Sequence, residues 1–144
     1  RDRSVSRGLG DVYKRQFSYL ESMKRSDEIV IFHGGQYSPA KKKFFESVSK
    51  TMPQDCKWYH WGDIDYGGFS MLLRLRKEIT SSIMPYRMSK YELEKYENYT
   101  QTFSKEYAEK LLKLYEEARL EDCRECLNYM VKHKIKLEQE AMLT

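Results

Sequence analysis

Read for hydrophobic periodicity, the chain opens with sixteen residues that have none and then alternates short apolar runs with helical stripes. Residues 17–25, FSYLESMKR, predict a short helix, and residues 28–33, EIVIFH, predict a buried strand rich in β-branched side chains. Gly34 and Gly35 end that strand, Ser38 offers a helix cap, Pro39 suits a first turn, and Phe44, Phe45, Val48 and Met52 fall on one face. A helix over residues 39–52 is expected, stopped by Pro53. Residues 56–61, CKWYHW, predict a second strand that runs into Gly62-Asp63-Ile64-Asp65-Tyr66-Gly67-Gly68, an acidic, glycine-rich loop. Helical spacing returns with Phe69, Leu72, Leu73, Leu75 and Ile79, and residues 83–88 predict a third strand that Pro85 places at an edge. Strand, helix, strand, helix, strand predicts an α/β fold with parallel layering and flanking helices.

From Ser89 onward the pattern predicts three or four helices, with Ser89 and Ser104 as caps and no further strand-like run before the C-terminus. Leu111, Leu114 and Tyr115, then Cys126, Leu127, Met130 and Val131, supply their apolar stripes. A core at residues 17–88 and a helical extension at 89–144 of the same domain are therefore expected. The length of 144 residues and a hydrophobic content of 40% suit one folded unit. No apolar run is long enough for a membrane helix and no secretory signal is legible, so a soluble, cytoplasmic protein is expected. Cys56, Cys123 and Cys126 are odd in number and define no disulfide framework. The lone C-x-x-C at Cys123 and Cys126 lacks a second ligand pair and reads as ordinary helix positions.

Charge separates the first sixteen residues from the rest. RDRSVSRGLGDVYKRQ carries five basic and two acidic residues, most of the formal net charge of +4, and leaves 21 basic against 20 acidic residues beyond it. Basicity of the whole chain is thus no argument for nucleic-acid binding. SVSRGLGDVYKRQ also resembles a translated sequencing-adaptor read, so residues 1–16 are expected to be non-native, and a longer genomic read in which the same codons are absent is the matching check.

Candidate chemistry concentrates at Asp63 and Asp65, because ligands of open α/β sheets sit beyond the carboxyl ends of strands. Side chains alternate along extended backbone, so both aspartates should point to one side with Ile64 opposite, within reach of one divalent ion. Oxygen-only ligation favours magnesium or manganese over zinc. Gly62, Gly67 and Gly68 leave room for a phosphate, and the following helix would offer its first amides to it. The plainer alternative is a turn and a helix cap, common for Asp beside Gly.

The decapeptide HWGDIDYGGF at residues 60–69 resembles the D-x-D motif of toprim domains, in the form found in the C-terminal domain family of Wadjet JetD proteins. IVIFHGGQYSPAKKKFF at residues 29–45, MLLRLRKEI at 71–79 and KLEQEA at 136–141 extend the resemblance over residues 17–144. It implies a toprim-like Rossmannoid parallel sheet related to the type IIB topoisomerase A subunit. It also implies magnesium-dependent cleavage of double-stranded DNA in plasmid defence, with SMC-like complex subunits as partners and a homodimer as a further possibility. Asp63 and Asp65 match the metal-binding aspartates and Gly67 the glycine that follows. Phe17-Ser18-Tyr19 resembles the tail of an upstream E-N-x-x-S/T-F/Y motif, whose acid and amide would fall at Lys14 and Arg15. The chain as written is therefore expected to be inactive.

Glu138 and Glu140 follow as acidic candidates, with Glu140 as the possible catalytic member. A two-residue offset in a helix would let at most one face the aspartates. His60 reads as a partly buried strand residue that could orient an aspartate or touch DNA, while His33 and His133 have no partner in sequence. Lys41, Lys42, Lys43, Arg74, Arg76 and Lys77 are the local candidates for DNA phosphates, against an ordinary solvated helix face. Tyr91, Tyr96 and Tyr99 receive no nucleophile role, since in the topoisomerase relatives that tyrosine belongs to another domain. The competing classes are a phosphatase with an Asp nucleophile and a non-catalytic DNA- or partner-binding module; indifference to magnesium would mark the latter.

Overall fold

The computed structural model describes residues 36–143 throughout, together with positions 15, 18, 19, 22, 24, 25 and 27–31. The chain forms two compact units, Arg1–Gln36 with Leu143–Thr144, and Tyr37–Met142. In the first, Ser18, Tyr19 and Ser22 are helical, as the 17–25 pattern predicts, and the Arg25 guanidinium pairs with Asp27 at 2.8 Å. The strand expected over 28–33 does not form in its described part. Residues 28–31 have no ladder partner, and Ile29 is 70% exposed. An apolar run becomes a strand only where another strand supplies hydrogen bonds, and the parallel ladder found here joins two other segments. Lys14, Phe17, His33, Gly34 and Gly35 lie outside the described residues.

The second unit begins with α1, Pro39–Thr51, whose cap Ser38 accepts the Lys41 N–H through its hydroxyl at 3.2 Å. Phe45 is buried, but Phe44 is 51% exposed. Adjacent helical residues differ by about 100° in direction, so only one of two neighbouring phenylalanines can face the core. Met52 turns to extended backbone ahead of Pro53, as proline demands of its predecessor.

β1, Tyr59–His60, pairs in parallel with β2, Met84–Pro85, across the crossover helix α2, Tyr66–Glu78. This is a β-α-β unit, so the α/β class holds, but each strand is much shorter than the apolar runs 56–61 and 83–88 suggest. Pro85 is tolerated because the ladder is donated by its neighbours, Met84 N–H to Trp58 O at 2.9 Å and Tyr86 N–H to His60 O at 2.8 Å.

Beyond β2 come α3, Lys90–Lys95, a 3-10 turn at Glu97–Tyr99, and β3, Gln101–Thr102. Next are α4, Lys105–Tyr115, a 3-10 segment at Ala118–Cys123, α5, Arg124–His133, β4, Ile135–Lys136, and a 3-10 turn at Gln139–Leu143. Both predicted serine caps operate. Ser104 accepts the Tyr107 N–H, while Ser89 and Glu92 close on each other. β3 and β4 form an antiparallel pair that the sequence did not announce, because two exposed polar residues carry no readable alternation. Lys134 ends α5 in the left-handed region at φ 55 and turns the chain back into β4.

Ile64, Phe69, Leu72, Leu111, Leu127 and Leu137 are completely or almost completely buried in one core. Cys123 and Cys126 are buried with it, and burial pushes the Cys123 thiol up to about 12 and the Cys126 thiol higher still. Such thiols are poor nucleophiles and suit the packing role their helical spacing predicts.

Arg76 is the polar fastener of this core. Its guanidinium forks onto both Asp122 oxygens at 2.8 Å and donates to the Ile83 carbonyl at 2.8 Å and to the Arg119 carbonyl, with the side chain 6% exposed. Asp122 remains 39% exposed, so water screens part of the pair. Replacing Arg76 by Met keeps the stem but leaves two carbonyls and a carboxylate unanswered. A loss of about 2 kcal/mol is expected in urea unfolding; an unchanged midpoint would show that the fork is dispensable. Among the described residues no helix is long and apolar enough to cross a membrane.

Candidate functional site

Beyond β1 the backbone stays extended through Ile64, whose side chain is fully buried. Ile64 N–H donates to Leu137 O at 2.8 Å and Leu137 N–H returns to Ile64 O at 3.0 Å, an antiparallel bridge that joins the loop to the C-terminal segment. The two flanking aspartates are each held by a main-chain donor. Asp63 Oδ1 accepts the Gln139 N–H at 2.7 Å, and Asp65 Oδ1 accepts the Gly68 N–H at 2.7 Å as the cap of α2. Asp65 is thus both the helix cap of the plainer reading and a half-buried carboxylate in a cluster.

The glycines differ in necessity. A Cβ on Gly68 would sit 1.8 Å from the Asp63 carbonyl oxygen, and one on Gly62 would meet His60 Nε2 at 2.9 Å. Gly67, the position that the family resemblance singles out, would meet only Asp65 Oδ1 at 3.5 Å. His60 is buried, with Nε2 3.2 Å from the Gly68 carbonyl. A carbonyl only accepts, so Nε2 carries the proton and the imidazole braces the loop.

The first amides of α2 are already engaged. Tyr66 N–H donates to Tyr107 Oη at 2.7 Å, and Gly68 N–H donates to Asp65 Oδ1 at 2.7 Å. The expectation that this helix start cradles an anion is therefore corrected: Tyr107 and Asp65 occupy those donors.

Burial pushes the Asp63 carboxyl up to about 6, against the pull of the Gln139 amide, with Asp65, Glu138 and Glu140 adding negative charge. Burial also raises Asp65, opposed by the Gly68 amide and the Lys136 ammonium, with Glu138 pushing upward. Tyr107 is raised by burial and by both aspartates. Glu138 and Glu140 thus both act on Asp63, where a helical reading allows one. The reason is local: the chain is extended up to Leu137 and begins its 3-10 turn only at Gln139. Glu138 is exposed and Glu140 half-buried. Among the described residues no three His, Cys, Asp or Glu side chains gather as a metal-binding group. Two oxygen donors in a field of four carboxylates nevertheless suit magnesium, which keeps much of its water and needs only one or two protein carboxylates.

The predicted DNA-facing cations have different surroundings. Lys42 lies 3.2 Å and Arg74 3.6 Å from Glu78, and Arg74 also covers the Tyr37 ring at 5.4 Å. Lys43 and Lys77 are exposed and Lys41 half-buried, whereas Arg76 is committed to the core. His133 is exposed and stacks on Tyr129 at 4.2 Å. Tyr91 and Tyr99 are exposed, and buried Tyr96 accepts from Arg87 through its hydroxyl. Sequence reasoning missed Tyr107, Lys136 and the Gln139 amide. Only Leu137, an apolar residue inside the charged run KLEQE, signalled that this segment returns to the core.

A family model described as the C-terminal part of Wadjet protein JetD matches residues 14–144, which include the whole of this site. The chain belongs to that family. Wadjet protein JetD of Bacillus cereus (strain Q1) is 28% identical over 131 residues, covering 88% of this chain and 31% of that relative. This JetD C-terminal chain thus spans less than a third of that relative's length. No solved structure matches it.

Proposed function

We propose that this JetD C-terminal domain is a toprim-like, Rossmannoid DNA-cleaving module of an anti-plasmid defence system, dependent on magnesium or manganese. Its substrate would be double-stranded DNA and its partners SMC-like subunits, in the cytoplasm. The observation that carries the reading is the pair Asp63 and Asp65, fixed beyond β1 by the Gln139 and Gly68 amides within one acidic field. Asp63 and Asp65 would hold the ion, which when bound supplies a Lewis acid for a phosphoryl oxygen and a more acidic water. The chain's own residues do the positioning. Gly68 lets α2 approach the Asp63 carbonyl, His60 braces the Gly68 carbonyl, and Glu140, whose charge acts on Asp63, would be the proton acceptor.

Lys14 and Arg15 stand where the resemblance calls for Glu and Asn, which favours a second reading in which the chain as written binds without cutting. The cleavage reading requires saturable divalent-ion binding, to which a DNA- or partner-binding module is indifferent, and the water-proton relaxation of added Mn2+ measures it. The chain should bind Mn2+ and Asp65→Asn should lose it; absence of saturable binding by the unaltered chain refutes the metal site. Cleavage is tested by Lys14→Glu combined with Arg15→Asn. Supercoiled plasmid should then be nicked with Mg2+ but not with EDTA, and adding Asp63→Asn should remove that activity. If the double variant binds Mn2+ yet leaves plasmid intact with the partner subunits present, the binding reading stands instead.

A further inference from the structure

At the start of α2 Tyr107 and Asp65 take the Tyr66 and Gly68 amides, and two ammonium groups stand beside them. Lys110 Nζ lies 4.4 Å from the Tyr66 ring centroid and 5.7 Å from that of Tyr107, and Lys136 Nζ lies 5.2 Å from the Tyr107 ring. The Tyr107 ring is itself steadied by Phe103 at 4.8 Å, and its hydroxyl is fixed by the Tyr66 amide. Both lysines lie over π faces, and among the described residues neither forms an ion pair within 4.0 Å, unlike Lys42, Arg74 and Lys77. An ammonium over a ring keeps part of its donor shell open, so an arriving anion need not break an existing salt bridge. Tyr107 is anchored to the amide of Tyr66, the residue after Asp65, so the ammonium groups on these rings stand at the acidic loop rather than on a remote face.

We infer that Lys110 and Lys136, mounted on Tyr66 and Tyr107, form a phosphodiester subsite that seats the nucleic-acid backbone beside Asp65. The inference rests on the DNA reading above. The arrangement answers a difficulty of that reading. A polyanion approaching two aspartates and two glutamates is repelled unless fixed cations offset the field, and lysine contacts to phosphate supply this without sequence choice. Tyr107 is a positioning residue in this scheme. Its oxygen caps α2 while its face orients both ammonium groups.

The test is fluorescence anisotropy of a labelled DNA duplex with the full chain, without divalent ions, over a range of salt concentrations. Replacing one phosphate contact should lower the slope of log affinity against log salt by about 0.9, so Lys110→Gln with Lys136→Gln should lower it by about 1.8. A control with the same charge loss at the exposed Lys50 and Lys132 should keep the original slope. Tyr107→Phe, which keeps the ring, should retain most of the slope. Wild-type binding with equal slopes for the site variant and the control overturns the subsite but leaves the DNA reading intact. No wild-type binding of duplex, alongside saturable Mn2+ binding, overturns the subsite and the DNA reading together while sparing the metal site. Displacement of the duplex by inorganic phosphate at matched ionic strength reassigns the cations to a free phosphate and overturns the phosphodiester assignment.

Discussion

Gly68→Ala is expected to cost about 3 kcal/mol or more and to disorder the acidic loop, while Gly67→Ala one residue earlier is neutral or slightly stabilising. The difference is geometric. The new methyl at Gly68 would overlap the Asp63 carbonyl oxygen at 1.8 Å, and backbone cannot move aside as the end of a flexible side chain does. Relief requires α2 to withdraw from the loop, which breaks the Gly68 N–H to Asp65 bond and the His60 contact together. At Gly67 the added carbon meets ordinary van der Waals contact at 3.5 Å, and Ala removes backbone freedom from the unfolded chain. Urea midpoints of the two variants measure this directly. Equal midpoints would mean that the helix and loop do not pack as closely as described.

Asp63→Asn is expected to make the metal-free domain more stable at neutral pH and to abolish its response to magnesium. The folded carboxyl has been raised from 3.8 to about 6, chiefly by burial, so between those values the folded state holds a proton that the unfolded state has released. Stability from this group is therefore full below about pH 4 and is lost as pH rises through about 6. Above that, the wild-type chain carries a buried charge that the asparagine lacks, while the amide oxygen can still accept the Gln139 N–H. A gain of about 2 kcal/mol at pH 7.5 that fades towards pH 4 is the expected signature. Magnesium at a hundred times its dissociation constant should add about 2.7 kcal/mol to the wild type and nothing to the variant. Destabilisation of the metal-free variant at neutral pH, or a magnesium response like the wild type's, would contradict the assignment.

These outcomes depend on features that were unevenly legible in the residues. The burial of Ile64 could be read because alternation is a local rule, and the Asp65 cap because Asp close to Gly commonly makes a turn or a helix cap. The caps at Ser38 and Ser104 were legible for the same reason, as was the family, from motifs in order along the chain. Residues 28–31 misled because their apolar character is local, whereas a strand is a property of two segments. Arg76 misled in the opposite sense. A basic residue in a charged helix reads as solvated until Asp122, 46 residues later, closes on it. Tyr107 was invisible on the same ground, since nothing near it in sequence says that its hydroxyl will cap a helix begun 41 residues earlier.

The bridge between Ile64 and Leu137 also has a consequence in time. The amide that fixes Asp63 belongs to Gln139, 76 residues further along. At roughly 5 to 20 residues per second, a chain being synthesised carries Asp63 for about 4 to 15 seconds before the segment that fixes it exists. The acidic loop is thus incomplete on the nascent chain, and the order of synthesis itself delays assembly of the site until the unit Tyr37–Met142 has been made almost to its end.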